Sequence, residues 1–234
     1  MAKRVLFSWS GGKDSALALY EIKKRQDLEI VSLITTITED VDRISIHGVR
    51  RVLLESQAES LGLPLYKIFI SKRSSDEEYG HKMKEMLTHF SRLGVTSVVF
   101  GDIFLEDLRK YREKQLSIVG MEGIFPLWKK DTHELAHAFI NLGFRAIVTS
   151  TDSEMLDRKF VGREIDEKFL AQLPPAVDPC GENGEFHSFV FSGPIFEKQV
   201  FFRVGGVVMR ENRFYYCDLE PVLPAEPPAI PSGC

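Results

Sequence analysis

Ser8-Trp9-Ser10-Gly11-Gly12-Lys13-Asp14-Ser15 decides how this chain is read, because apolar residues run straight into it and a helical pattern leaves it. Val5, Leu6 and Phe7 predict a short buried strand, and Ala16, Leu17, Leu19 and Tyr20 begin an amphipathic helix. Between them two glycines allow a tight turn whose backbone N–H groups converge. A helix N-terminus at that point faces an anion. Lys13 adds a mobile positive charge, Ser10 and Ser15 add hydroxyl donors, and Asp14 either caps the helix or helps to hold a cation. The stretch reads as a phosphate-binding loop.

Spacing decides which kind. The Walker pattern needs a Gly five residues before the Gly of Gly-Lys and a Ser or Thr after the Lys, but those positions hold Phe7 and Asp14. The dinucleotide pattern Gly-x-Gly-x-x-Gly is missing too, since Gly11 and Gly12 are adjacent and no third Gly follows. What the residues do resemble is the Ser-Gly-Gly-x-Asp-Ser loop of the N-type ATP pyrophosphatases, which cleave ATP to AMP and pyrophosphate. A plain glycine turn with a surface lysine explains neither the strand before it nor the helix after it.

Composition sets the class. The chain has 234 residues, 44% hydrophobic and 27% charged, an ordinary globular balance long enough to bury a substantial core. No apolar run approaches a membrane span of ~20 residues. Met1-Ala2-Lys3-Arg4 has a basic flank but no secretory core behind it, so a cytoplasmic protein is expected. Cys180, Cys217 and Cys234 form no Cys-x-x-Cys pair and read as reduced thiols. A formal charge of −4 argues against a broad nucleic-acid surface.

From the loop outward, strand and helix alternate. Residues 28–36 read as a second strand, parallel to the first, with Thr35 and Thr36 at the root of the polar loop that leaves its carboxyl end, where open α/β sheets place ligands. His47-Gly48 opens a helix that Gly62 and Pro64 end, residues 65–70 form a third strand, and Ser75 starts a helix whose apolar face carries Tyr79, Met83, Met86, Leu87 and Phe90 as core. Residues 95–100 form a fourth strand with Gly101-Asp102-Ile103 just past its carboxyl end. There Asp102 either meets a ribose or metal ion or caps a helix over residues 106–117, whose basic residues suit a solvated face. Asp131 and Glu134 have capping-box form, His133 and His137 lack a third ligand, and residues 145–151 read as a fifth strand.

The texture changes near residue 150. The expectation is an ATP-binding domain over 1–150, a smaller α+β substrate-binding domain over 151–220 and a proline-rich tail over 221–234. Residues 164–173 suggest one helix, residues 189–191, 199–208 and 213–219 suggest short strands, and Glu211-Asn212 suggests a turn. The apolar C-terminal strands could form a homodimer contact or simply cover the first sheet.

Cys180-Gly181-Glu182-Asn183-Gly184-Glu185-Phe186-His187-Ser188 concentrates reactive groups in nine positions. Cys180 and His187 could be a nucleophile and its base, with Glu182 or Glu185 orienting the imidazole. A bound acceptor substrate or nucleotide is the preferred reading, and acidic groups that satisfy their own turn are the bland one.

Together with the loop at 10–15 and Gly101-Asp102-Ile103, this stretch resembles the diphthine-ammonia ligase family over nearly the whole chain to about residue 220. The resemblance implies a Rossmann-like parallel sheet of the adenine nucleotide alpha hydrolase type, ATP and Mg²⁺ as cofactors, and free ammonia as nitrogen source. It also implies a carboxylate acceptor, which such ligases find on a modified histidine of elongation factor 2. On that pattern Ser10, Gly11, Gly12, Lys13, Asp14 and Ser15 hold the phosphates, with Lys13 as charge clamp and Asp14 as metal or positioning group. Thr36, His47, Gly101 and Asp102 line the nucleoside, and Glu182, Asn183, Gly184, Glu185 and His187 meet the acceptor, Glu185 in a catalytic role. Family members more often carry Gly-Glu-Tyr-Glu-Thr where this chain has Gly-Glu-Phe-His-Ser at 184–188, so His187 stands where an acidic residue is usual. Two rivals are a tRNA-modifying member of the same superfamily, which would want a persulfide-carrying cysteine pair or a basic extension, and a non-catalytic ATP sensor.

Overall fold

The structure is a computed structural model that describes residues 2–44 and 48–222, so His47, Cys234 and all but the first two residues of the expected tail lie outside the described residues. In chain order the elements begin β1 (Lys3–Ser8), α1 (Lys13–Lys23), β2 (Leu28–Thr38), β3 (Arg43–Ile44), α2 (Arg51–Leu61) and β4 (Leu65–Ile70). They continue α3 (Asp76–Arg92), β5 (Ser97–Val99), α4 (Glu106–Ser117), β6 (Glu122–Ile124) and α5 (Thr132–Asn141). The last are β7 (Arg145–Asp152), α6 (Glu167–Ala171), β8 (Phe186–Ser192), β9 (Phe202–Arg210) and β10 (Phe214–Pro221).

Two sheets follow from these elements. The first is Rossmann-like: β4, β2, β1, β5 and β6 lie side by side and all parallel, with the short β3 antiparallel to the end of β2. Its strands are apolar on both faces because helices cover both. Val5 and Phe7 belong to a core shared with α1, α2 and the second sheet, while Leu6 turns to a core shared with Met86, Leu87 and Phe90 of α3 and Leu116 of α4. The second sheet is antiparallel in the order β8, β7, β10, β9. β9 and β10 make a hairpin turned by Glu211 and Asn212, both at positive φ (54° and 51°), the combination a type I′ turn requires.

Three local expectations change. Residues 145–152 do form a strand, but it pairs with β8 and β10 and not in the parallel sheet, whose fifth member is the three-residue β6. The helix expected over 164–173 shrinks to Glu167–Ala171, capped by Asp166, because Glu164 is drawn into a β-bridge with Ile147. On α3, Met86 is core, whereas Met83 and Tyr79 are only partly buried and line a cavity. Ser75 and Asp131 cap α3 and α5 as their sequences predict, each accepting from the backbone N–H three residues on. Among the described residues no helix is long and apolar enough to cross a membrane.

Gln57 of α2, fully buried, ties the two sheets to the glycine loop. It accepts from Trp9 Nε1 at 2.9 Å and donates from Nε2 to the carbonyls of Gly11 (3.0 Å) and Val190 (2.6 Å). Replacing Gln57 with Leu keeps the volume but leaves an indole N–H and a strand carbonyl without this partner. We expect Gln57→Leu to cost about 2–4 kcal/mol in urea unfolding, and a loss below half a kilocalorie would contradict this account of the junction.

Candidate active site

The loop begins where β1 ends. Gly11 at φ +78° reverses the chain so that Gly12 becomes the N-cap of α1 and Lys13 its first residue. An added Cβ at Gly11 would sit 2.7 Å from Gln57 Oε1, so space and backbone both demand glycine. Ser10 Oγ accepts from Gly12 N (3.2 Å) and donates to Ser15 Oγ (3.1 Å), while Ser15 Oγ donates to Gly12 O (2.8 Å). The hydroxyls thus brace the turn that aims the helix N-terminus.

The second sheet closes on this loop. Val190 N donates to Gly11 O at 2.9 Å, and Lys13 N donates to Ser188 Oγ at 3.2 Å. Ser188, named in the sequence only as part of a polar loop, is therefore a cap of α1 supplied across 175 residues. Gly101 approaches from the other side. A Cβ there would lie 3.0 Å from Ser15 N and 3.1 Å from Asp14 C and O, all backbone atoms unable to yield, so glycine lets the end of β5 meet the first turn of α1.

Lys13 is 2% exposed. Its Nζ donates to Asp14 Oδ1 at 2.6 Å and to the carbonyl of Cys180, and lies 5.6 Å from the centre of the Phe186 ring. Burial works against the ammonium charge, yet Asp14 and then Cys180 and Glu182 outweigh it and hold the pKa above the ordinary lysine value. Cys180 is a buried thiol whose Sγ bonds Thr132 O at 3.4 Å, and burial pushes its pKa up, so it is not an activated nucleophile.

The 178–188 loop largely satisfies itself. Glu185, 3% exposed, accepts from Asp178 N (3.0 Å), Asn183 N (3.0 Å) and Asn183 Nδ2 (2.9 Å), ties that hold the turn closed. Asp178 Oδ1 in turn accepts from Cys180 N and Glu182 N. Glu182 reaches outward, its Oε1 accepting from Ile103 N at 2.7 Å, which locks this loop to the turn after β5. Burial, aided by Asp14, pushes Glu182 up to about 7 against the pull of the Ile103 N–H. His187 sits on β8 opposite Ser150, and burial, then Lys13, lowers its pKa to about 4, so it is neutral.

Beside the loop a cavity of about 360 Å³ opens at the carboxyl ends of β1, β2 and β5. Ser10, Thr36 and Phe100 line it from the sheet, Tyr79 and Met83 from α3, and Tyr111 and Arg112 from α4. Asp102 does not cap α4, whose N-cap position is Leu105; its carboxylate holds Arg112, with Nη2 donating to Oδ1 at 3.1 Å and Nε 2.9 Å from Oδ2. Arg112 also covers the Phe100 ring at 4.3 Å and Arg109 lies 4.6 Å from Phe125 and Trp128, so these two are more than a solvated face. Of the predicted site residues, Ser10 and Thr36 line this crevice, which opens at the topological switch point of the sheet. Tyr79 and Met83 were missed as lining because they read as core on the apolar face of α3.

His137 faces Glu167 at 3.1 Å across a separate cavity of about 240 Å³. Among the described residues no group of three or more His, Cys, Asp or Glu side chains is placed to hold a metal ion. Asp14, the expected magnesium ligand, has Oδ1 engaged by Lys13.

Comparison with known proteins agrees with this architecture. Residues 3–123 match the family model of the diphthamide synthase N-terminal domain and residues 131–217 that of the C-terminal domain. A diphthine–ammonia ligase of Schizosaccharomyces pombe is 27% identical over 218 residues, 84% of this chain and 36% of that protein. Proteins of the same name are 26% identical in Danio rerio and 24% in Homo sapiens, covering 84% of this chain and 85% and 82% of theirs. The chain therefore spans about a third of the length of the fission-yeast relative and over four fifths of the two vertebrate ones.

The two shifted groups have opposite consequences for stability. His187 drops from 6.5 to about 4, so between those values the unfolded chain binds more protons; its contribution is present above 6.5 and lost as pH falls. Glu182 rises from 4.5 to about 7, so its contribution is complete below 4.5 and lost as pH rises through 7. Between 4.5 and 6.5 the two slopes oppose. Urea midpoints should fall with rising pH across that window in His187→Asn and rise in Glu182→Gln, each relative to wild type. Parallel profiles for all three proteins would refute the assignment.

Proposed function

The chain belongs to the diphthamide synthase family, and from that premise we propose that it is an AMP-forming ligase that adenylates a substrate carboxylate with ATP and amidates it with ammonia. The observation that carries this reading is the 360 Å³ cavity at the ends of the parallel strands, which Ser10 of the 10–15 loop lines. The cavity takes the nucleoside, between the sheet and helices α3 and α4, with Thr36 and Arg112 as polar contacts. The phosphates extend from it to the N-terminus of α1.

In the first step a carboxylate oxygen forms a bond to the α-phosphorus as the bond to the bridging oxygen breaks, and pyrophosphate leaves with the electron pair. Negative charge develops on pyrophosphate, where the helix N-terminus and Lys13 stabilise it. In the second step the ammonia lone pair forms the C–N bond, the C–O bond to AMP breaks, and AMP leaves with that pair. The proton shed by nitrogen passes to Glu182, whose pKa near 7 suits a base at neutral pH. The loop at 178–188 excludes water from the acyl-adenylate, and the acceptor we assign is a diphthine-like carboxylate, the class named in its relatives.

ATP labelled at the α-phosphate, supplied with Mg²⁺, ammonium and a cell extract as acceptor source, tests the reading. Labelled AMP that depends on both extract and ammonium is expected, falling roughly 10²–10³-fold in Lys13→Ala. Labelled ADP would overturn the proposal, as would ATP binding without product across all extracts.

A further inference from the structure

The buried ammonium of Lys13 occupies a cage. One wall is the Asp14 carboxylate at 2.6 Å, another the Cys180 carbonyl oxygen, and the third the face of Phe186 with its centre 5.6 Å away. A carboxylate, a carbonyl and an aromatic face are what an ammonium ion requires of a protein: anionic and neutral acceptors for its N–H groups and a π-cloud for its remaining surface. The site reading given above needs the same Nζ elsewhere, on the phosphates of ATP. A nitrogen 2% exposed and bonded on two sides is not available there until it moves.

When Lys13 leaves, Asp14 loses its cation. The carboxylate side chain is only 27% exposed, and a partly buried carboxylate without a partner is costly. We propose that the cage of Asp14, the Cys180 carbonyl and Phe186 is the binding site of the substrate ammonium, kept filled by the lysine's own ammonium until ATP draws Lys13 out. The proposal rests on the ligase reading and adds to it the place where nitrogen enters. Size supports it, because a free ammonium ion is the lysine head group with its methylene replaced by one further N–H, so the cage needs no reshaping. The remaining exposure of Asp14 gives the ion its way in. Order of binding follows: ammonium enters only after ATP, passes one proton to the Asp14 carboxylate to free the lone pair that attacks, and sheds the second to Glu182 as the C–N bond forms.

Lys13→Ala vacates the cage without ATP, and its melting temperature reads the occupant. At matched ionic strength, ammonium chloride should raise it by roughly 3–5 °C over tetramethylammonium chloride once ammonium is about tenfold above its Kd. Wild type should show no such rise without ATP and should show it with ATP, and the double variant Lys13→Ala, Asp14→Asn should lose it. Equal responses to sodium, potassium and ammonium would overturn the proposal, as would an ammonium response in ATP-free wild type. Should Lys13→Ala fail to fold, wild type alone decides: ATP should bind at least about fivefold more tightly in ammonium than in tetramethylammonium, and equal affinities would overturn the coupling. AMP formation without any of these ammonium effects would sink the cage and leave the ligase. Ammonium uptake by Lys13→Ala in a protein that makes no AMP would sink the ligase reading and with it the substrate role of the cage.

Discussion

The carbonyl oxygen of Gly11 is where this molecule is held together. It accepts from Val190 N of β8 and from Gln57 Nε2 of α2, so one atom of the glycine loop joins the parallel sheet, the helix that follows β3 and the antiparallel sheet. A loop that must present N–H groups to an anion has to turn its carbonyls the other way, and those carbonyls need donors. Gly11 at positive φ makes that turn, and Gln57 and Val190 supply the donors. The second sheet is thus tied directly to the loop of the parallel sheet. Its strand β8 finishes the loop, and one continuous core runs from Val5 and Phe7 to Phe189 and Leu219.

The same closure explains why the 178–188 loop is so rich in charged and polar groups. A turn laid over a buried lysine has little access to water, so its backbone donors must be met from within. The carboxylates of Asp178 and Glu185 meet them. Glu182 instead reaches out of the loop to the N–H of Ile103, and that bond ties together the two turns that flank the N-terminus of α1. The groups that looked reactive in the sequence therefore divide into those that build the wall and those that face the crevice.

The parallel sheet, its loop and its helix caps were legible because each rests on local signals: an apolar run buried on both faces, a glycine pair, Ser75 or Asp131 three residues before a free N–H. The seat of β7 was not. Ala146, Ile147 and Val148 are buried, as they would be in either sheet, and only pairing with β8 and β10, contributed forty to seventy residues later, chooses between them. The ties of Glu185 were not legible for a related reason, since its partners are the backbone N–H groups of Asp178 and Asn183 and the Asn183 amide that a turn brings within reach, and no spacing rule marks them. Cys180 was a candidate nucleophile by composition, and its burial against Thr132 removes it. Gln57 carries no sequence signal at all, one polar residue in an amphipathic helix whose importance lies in what the fold sets against it.

The Lys13 and Asp14 pair is hard to account for as architecture. A buried ion pair gains little over apolar residues of the same volume, because the desolvation of both ions consumes most of their attraction. Here the pair lies at the foot of a helix beside a cavity, with Phe169, Phe186 and Phe189 in the surrounding core, where an apolar pair would pack at least as well. What an apolar pair could not do is move a charge. A lysine on the first turn of a helix, held by its sequence neighbour and one carbonyl, can exchange those partners for a phosphate without disturbing the backbone bonds to Ser188 and Val190 that fix the loop. The loop is thus held by backbone, glycine and amide, and the lysine side chain takes no part in those bonds. That division is what a site requires when negative charge must be met only as it develops.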